Sequence, residues 1–487
     1  MTVALSKAIV SLNGIDAITG LPLGAPISPE DVGWTVIREV MDPETADALR
    51  KRAAEDVPNY GVRAGINPSS LAEAGWGVVF PARCPGEIIE SLQPLLDLRK
   101  EQAGGRFRIY TGSQGYCPGD SGRRFLERHL KDPGQVDPDK VPYYLLLVGQ
   151  PDEIPLSFQY RLDVDYAVGR VGFDSPALYR QYATSIVEQE KSAAGRRRCV
   201  LFSVSTPGDD VTSRSALDLM DPLERHAANW ANGFEHELIG PPKATRSRLA
   251  AELHATEAPA VLFTASHGVG FPCGDEFQLR RQGALLCQDW PGPLRHKGAI
   301  PREFYFSGED LDADSNVRGT IAFLFACYGA GTPREDYFPE QARPDAGSSQ
   351  PRNVLARKVI APQDFLAWLP IRMLTHPRGS ARAVVAHIER IYTDSFSWPN
   401  AGPQIGIYED ALKVLSAGAP IGCATEAFGA RYASLNTDIA DRLEELRSDH
   451  SATPDPIELG RLWTARNDAR SFVVLGDPAV LATGGTR

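Results

Sequence analysis

Apolar residues in this chain gather in short runs separated by polar, helix-like stretches. Two of these runs are built alike. Residues 260–265 end on Ser266-His267-Gly268, and residues 319–326 end 60 positions later on Cys327-Tyr328-Gly329. Runs of about six to eight apolar residues bounded by glycine are too short for helices and read as central strands of a parallel sheet, buried on both faces. Ligands bind at the carboxyl ends of such strands. The pair therefore predicts that an imidazole and a thiol reach one rim of a sheet, which is what a cysteine nucleophile requires.

The same alternation runs through most of the chain. Strands are expected at 76–80, 107–111 and 143–149, with helices at 87–102, 123–130 and 175–193 and a turn-rich loop at 132–142. A second series places strands at 199–205, 235–239, 260–266 and 383–388 among helices at 215–232, 245–255 and 362–374. A helical region over 407–448 and a last strand at 471–478 close the chain. Strands alternating with helices predict an α/β fold. The stretch 193–198, Ala-Ala-Gly-Arg-Arg-Arg, divides the two series. The expected organisation is an N-terminal arm over 1–65, a first α/β subdomain over 66–195, and a second, catalytic one over 196–487 with a C-terminal helical extension. The arm reads as coil with one helix near 42–55, either packed on the main body or controlling access to it. Residues 332–351 are polar and rich in turn formers, too long for regular structure, and would lie over the thiol.

The two blocks resemble the caspase-like proteases, the group of caspases, gingipains, legumain, separase and clostripain. Ser266-His267-Gly268 is similar to the caspase histidine site. Ala326-Cys327-Tyr328-Gly329 is similar to the Ala-Cys-x-Gly core of the cysteine site, at a comparable spacing. The likeness extends to the gingipain type through Val148-Gly149, Ile154-Pro155, Asp163-x-x-Tyr166 and Gly169-Arg170, and covers roughly residues 70–400. It implies a caspase-like three-layer α/β sandwich, with two adjacent subdomains of mostly parallel sheet flanked by helices. It further implies a cysteine endopeptidase acting on a protein or peptide substrate. Cys327 would be the nucleophile, His267 the proton donor to the leaving amine, and Gly268 with Cys327 the backbone donors to the oxyanion. In Arg-specific members an aspartate of the first subdomain floors the pocket for the residue before the scissile bond. Asp163 matches that position and Asp165 is the neighbour able to replace it, which leads to an expectation of cleavage after Arg or Lys.

Other readings give each of these residues a duller role. A cysteine at a strand end is usually a small buried hydrophobe, and Asp163 is as well suited to pairing with Arg161 or Arg170. The alternative function is a latent or inert caspase-like interaction module that needs a protein partner for activation. His387 and Trp398 read as plain core. Self-processing is expected in the 332–351 loop, where Arg334 and Arg343 stand with Arg352 just beyond, or at Arg196–Arg198.

Composition narrows the partners. The 487 residues carry a formal charge of −11, so no basic excess exists to release counterions from nucleic acid or an anionic membrane. No apolar run has the length of a membrane span and the start lacks signal-peptide character, leading to an expectation of a cytoplasmic protein. Seven cysteines without regular spacing indicate neither a disulfide framework nor a metal site, and no cofactor is expected. No phosphate-binding GxxxxGK[ST] motif is present.

Overall fold

The computed structural model describes residues 13–23, 28–40, 62–130, 136–192, 195–336, 358–398, 402–448 and 453–483. The helix expected near 42–55 and most of the 332–351 loop lie outside them. In chain order the strands are β1 (Gly14–Asp16), β2 (Trp76–Val79), β3 (Phe107–Tyr110), β4 (Tyr144–Val148), β5 (Ala167–Val171) and β6 (Arg198–Ser203). There follow β7 (Glu235–Ile239), β8 (Val261–Ala265), β9 (Gly268–Gly270), β10 (Ala284–Leu286), β11 (Tyr305–Phe306) and β12 (Ile321–Phe325). The last six are β13 (Gly331–Thr332), β14 (Phe365–Leu366), β15 (Ala383–His387), β16 (Ser397–Trp398), β17 (Gly402–Pro403) and β18 (Phe472–Gly476).

Ten of these strands form one sheet in the order β3-β2-β4-β5-β18-β15-β12-β8-β6-β7. The expected mostly parallel α/β sheet flanked by helices is what the chain forms. Its two series of strands are joined edge to edge by β18. This strand is parallel to β5 on one side and antiparallel to β15 on the other, with Val385 opposite Val474. Its apolar residues are buried on both faces, and it leaves neither series with an unpaired inner edge. All other neighbours in the sheet are parallel. The two blocks therefore run in opposite directions. The carboxyl ends of β8, β12 and β15 consequently share one rim with the loop that enters β5.

A buried polar junction holds β18 to the first block. Asp477, fully buried, accepts from Trp76 Nε1 at 3.0 Å and from Arg99 Nε at 2.7 Å, and its amide donates to Tyr182 Oη at 2.7 Å. Arg99 also pairs with Glu190. Charges this deep are tolerated because each is paired and hydrogen-bonded.

Prolines cut two of the expected helices. The helix over 87–102 divides at Leu92 into Gly86–Ser91 and Gln93–Ala103, with Pro94 in the first turn of the second piece, where its missing N–H costs no bond. Residues 215–232 form a π-helical turn, Ser215–Met220, and two short helices, Asp221–Arg225 and Ala227–Trp230.

The reading of the first 65 residues as coil is corrected at two places. Helix Pro29–Val40 packs on helix Pro456–Ser471, with Val36 buried against Leu459 and Leu462. Gly14–Asp16 enters a small second sheet of order β1-β9-β10-β11, whose core includes Ile15, Val269, Leu286 and Trp290. Among the described residues no helix is long and apolar enough to cross a membrane.

Candidate functional site

β8 and β12 are neighbours in register, Val261 opposite Ile321 through Ala265 opposite Phe325. His267 and Cys327 stand at matching positions two residues past the last rung, where the chain at Gly268 approaches the Cys327 backbone. The approach is close enough that only glycine fits next to it. A Cβ on Gly268 would lie 1.9 Å from the Cys327 carbonyl oxygen and 2.9 Å from its amide nitrogen. The backbone then turns sharply after the thiol. Tyr328 has φ +59°, a left-handed conformation that a bulky residue adopts only when its surroundings enforce it.

His267 is 2% exposed. Its Nε2 lies 2.7 Å from Asp209 Oδ2, and its ring meets Trp290 edge to face. Asp209 ends the loop after β6, caps the helix Asp210–Arg214 and accepts from Thr212. Burial works against ionising this carboxyl, but the His267 ring and the Thr212 bonds outweigh it and hold Asp209 down at about 2. A carboxylate on Nε2 fixes that nitrogen as the donor and leaves Nδ1 as the basic one in the neutral ring. Nδ1 is buried and has no hydrogen-bond partner among the described residues. Asp209 went unseen in the sequence. The available signal was an acidic pair, Asp209-Asp210, just past the end of a strand adjacent to β8.

The thiol of Cys327 is fully buried, and its Sγ accepts from the amide of Ile391 at 3.0 Å. Burial pushes the thiol up to about 12, against the lowering pull of the Ile391 amide and the Arg390 charge. Ile391 belongs to the segment after β15 and also accepts at 2.9 Å from the amide of Asn13.

The remaining expected residues lie elsewhere on the same rim. Asp163 and Asp165 follow the helix Leu156–Leu162 and precede β5. Asp165 pairs with Arg161 at 2.9 Å. Asp163 lines a cavity with Tyr160, Glu426 and Arg470 beneath the long helix Ile421–Ser448, and Cys327 is not among the residues lining it. Asp163 is partly exposed as a residue, but its Oδ2 is enclosed without a hydrogen-bond partner among the described residues. Burial raises this carboxyl well above the ordinary carboxylate range, against the nearby Arg170 charge. Arg170 itself holds the turn between β4 and that helix. Its Nη1 donates to the Gly149 carbonyl at 3.0 Å and its Nε to Gln159 at 2.8 Å.

His387 is a core residue. It donates from Nε2 to the Asp468 carbonyl at 2.9 Å, packs edge-on to Phe472, and is driven down to about 3 by burial. All seven cysteines are free, and among the described residues no cluster of three His, Cys, Asp or Glu is placed to hold a metal ion.

The sequence matches no protein-family model, and no curated protein matches it. Two solved structures are similar in outline. One is a protease, 12% identical over 83% of this chain and 78% of that one, with a TM-score of 0.46. The other is the complex of the pro- and mature domains of Porphyromonas gingivalis RgpB, 12% identical over 84% of this chain and 79% of that one, with a TM-score of 0.43.

Proposed function

We propose that this chain is a cysteine endopeptidase in which Cys327 attacks the peptide carbonyl, His267 moves the proton and Asp209 orients His267. The observation that supports the reading is the β8–β12 register, which brings the strand ends carrying His267 and Cys327 to one rim, with Asp209 on Nε2 of His267.

Nδ1 of His267 accepts the thiol proton, the thiolate adds to the carbonyl carbon, and the oxyanion takes hydrogen bonds from the amides of Gly268 and Cys327. Loss of one such donor costs on the order of a hundredfold in rate. The tetrahedral adduct collapses with breakage of the C–N bond, and the imidazolium gives its proton to the departing amine. Water then hydrolyses the thioester through the same imidazole. Asp209 touches no reacting atom and is a positioning residue; its charge also stabilises the imidazolium.

For the residue before the scissile bond we retain the preference for Arg or Lys, with Asp163 as its acceptor. An enclosed carboxyl oxygen without a donor suits a pocket that gains a guanidinium or ammonium group. Asp165, already paired with Arg161, is the weaker candidate.

The test is a peptide library varied at the residue before the scissile bond, given to wild type and to Cys327→Ala. Cleavage after Arg or Lys that disappears in the variant supports both parts. A preference for another residue removes Asp163 and keeps the mechanism. Equal turnover by both proteins removes the mechanism.

A further inference from the structure

The thiol of Cys327 is covered by the chain's own residues 13–23. β1 pairs in parallel with β9, Gly14 opposite Gly268, and the chain then folds back so that Leu23 N donates to the Gly14 carbonyl at 3.0 Å. A Cβ built on Gly14 would lie 3.2 Å from both Cβ and Sγ of Cys327. A side chain here would press on Cys327 and collide with Leu23, 2.3 Å from that Cβ.

Asn13, directly before Gly14, is held in the manner of a substrate residue. Its amide donates to the Ile391 carbonyl at 2.9 Å, while the Ile391 amide holds Cys327 Sγ at 3.0 Å. One residue thus grips both the segment and the nucleophile. In the β1–β9 ladder the Gly270 carbonyl accepts from Ala17 at 2.8 Å, and the alternation of a parallel ladder, carried back two residues, directs the Asn13 carbonyl toward the Gly268 amide. That amide is the oxyanion donor of the proposed mechanism. The Asn13 side chain is 1% exposed, and neither Oδ1 nor Nδ2 has a hydrogen-bond partner among the described residues. Buried amides in stable structure are almost always paired. An unpaired one inside an active site fits a side chain docked in a pocket shaped for something else.

We propose that the peptide bond between Asn13 and Gly14 is cleaved by Cys327 of the same molecule. This rests on the cysteine-peptidase reading and names a first substrate for it. The thiolate adds to the Asn13 carbonyl carbon, the bond to Gly14 nitrogen breaks, and His267 protonates the new amine. Residues 1–13 are held as a thioester until water releases them with an Asn13 carboxylate and restores the thiol. Ile15 and Ala17 stay in the small core with Val269 and Trp290, so the new N-terminus remains seated while the position held by Asn13 is vacated. Tethering keeps the segment at the site at high effective concentration, so this cleavage does not require the side chain that free substrates present.

The experiment follows intact mass and N-terminal sequence of the full chain over time after synthesis, for wild type, Cys327→Ala and Asn13→Pro, and assays the same samples on the peptide library. The expected result is an N-terminus beginning Gly14-Ile15-Asp16 in wild type, formed at a first-order rate unchanged by tenfold dilution. Cys327→Ala stays intact. Asn13→Pro, which lacks the amide held by Ile391, cleaves at least tenfold more slowly. Wild type that keeps residues 1–13 while cleaving peptides through Cys327 overturns this inference and leaves the peptidase reading standing. Equal cleavage in Cys327→Ala assigns the break to the chemistry of the Asn-Gly sequence itself and also overturns it. An intact N-terminus with no peptide turnover removes both.

Discussion

His267 and Cys327 stand at matching positions two residues beyond the last rung of the β8–β12 ladder, where Ala265 is opposite Phe325. Their arrival at one rim of the sheet is therefore set by strand register. A slip of one residue would turn one of the two side chains to the other face of the sheet. Cys327→Ala and His267→Ala should each lower kcat/KM by about a thousandfold or more, and the double variant should fall no further than the lower single, because the two act as a unit. Steady-state assays on the preferred peptide check this, with circular dichroism confirming that each variant is folded.

Asp209→Asn should lower kcat by about a hundredfold to ten-thousandfold with little change in KM, since the amide no longer fixes the ring tautomer or balances the imidazolium. The same variant tests acid stability. A carboxyl depressed from 3.8 to about 2 in the fold contributes stability above its free value and loses it as pH falls through that window. Wild type should lose roughly 2 kcal/mol more than Asp209→Asn between pH 5 and pH 2. Urea midpoints across that range measure the difference.

Alkylation reports on the covered thiol. With Cys327 raised to about 12, its thiolate fraction at neutral pH is far below that of an ordinary cysteine. Iodoacetamide at pH 8 should modify exposed Cys273 at least about a hundredfold faster than Cys327 in the uncleaved chain. Peptide mapping by mass spectrometry gives both rates.

Specificity separates the two aspartates. Asp163→Ala should reduce kcat/KM on Arg and Lys peptides by about a hundredfold and spare other peptides, whereas Asp165→Ala should change the preference little, its carboxylate being held by Arg161. Loss on all peptides alike in Asp163→Ala would assign that residue to folding.

Asp477→Ala should destabilise the chain by about 3–5 kcal/mol, because it strands the buried Arg99 charge and the Trp76 N–H at the junction between the blocks. Thermal unfolding checks this, and Arg99→Ala should fall in the same range.

Most of the sheet was legible because its strands are apolar on both faces and bounded by turn residues: 199–205, 260–266 and 383–388 came out as β6, β8 and β15 within a residue or two. β5 was read only as a resembling motif, since Gly169 and Arg170 interrupt its apolar pattern, and Arg170 is tolerated there through bonds to Gln159 and Gly149 that no local pattern announces. Helices Pro29–Val40 and Pro456–Ser471 were missed because each is stabilised largely by the other, across more than four hundred residues of sequence. At the site, two self-announcing blocks marked His267, Gly268 and Cys327. Asp209 and Asn13 lie in stretches whose local sequence suits an ordinary helix cap and an ordinary turn.

The amino-acid sequence by itself determined the residue types, the strand ends that carry them and the order of the α/β elements, because burial periodicity and turn chemistry are local properties. Tertiary structure decided what those ends meet. It joined the two series of strands through β18, set Asp209 on His267, placed Asp163 in a cavity beneath the helix Ile421–Ser448, and laid Gly14 against Cys327. Each of these depends on register and packing between segments far apart in the chain, and such pairings are selected by the free energy of the whole fold.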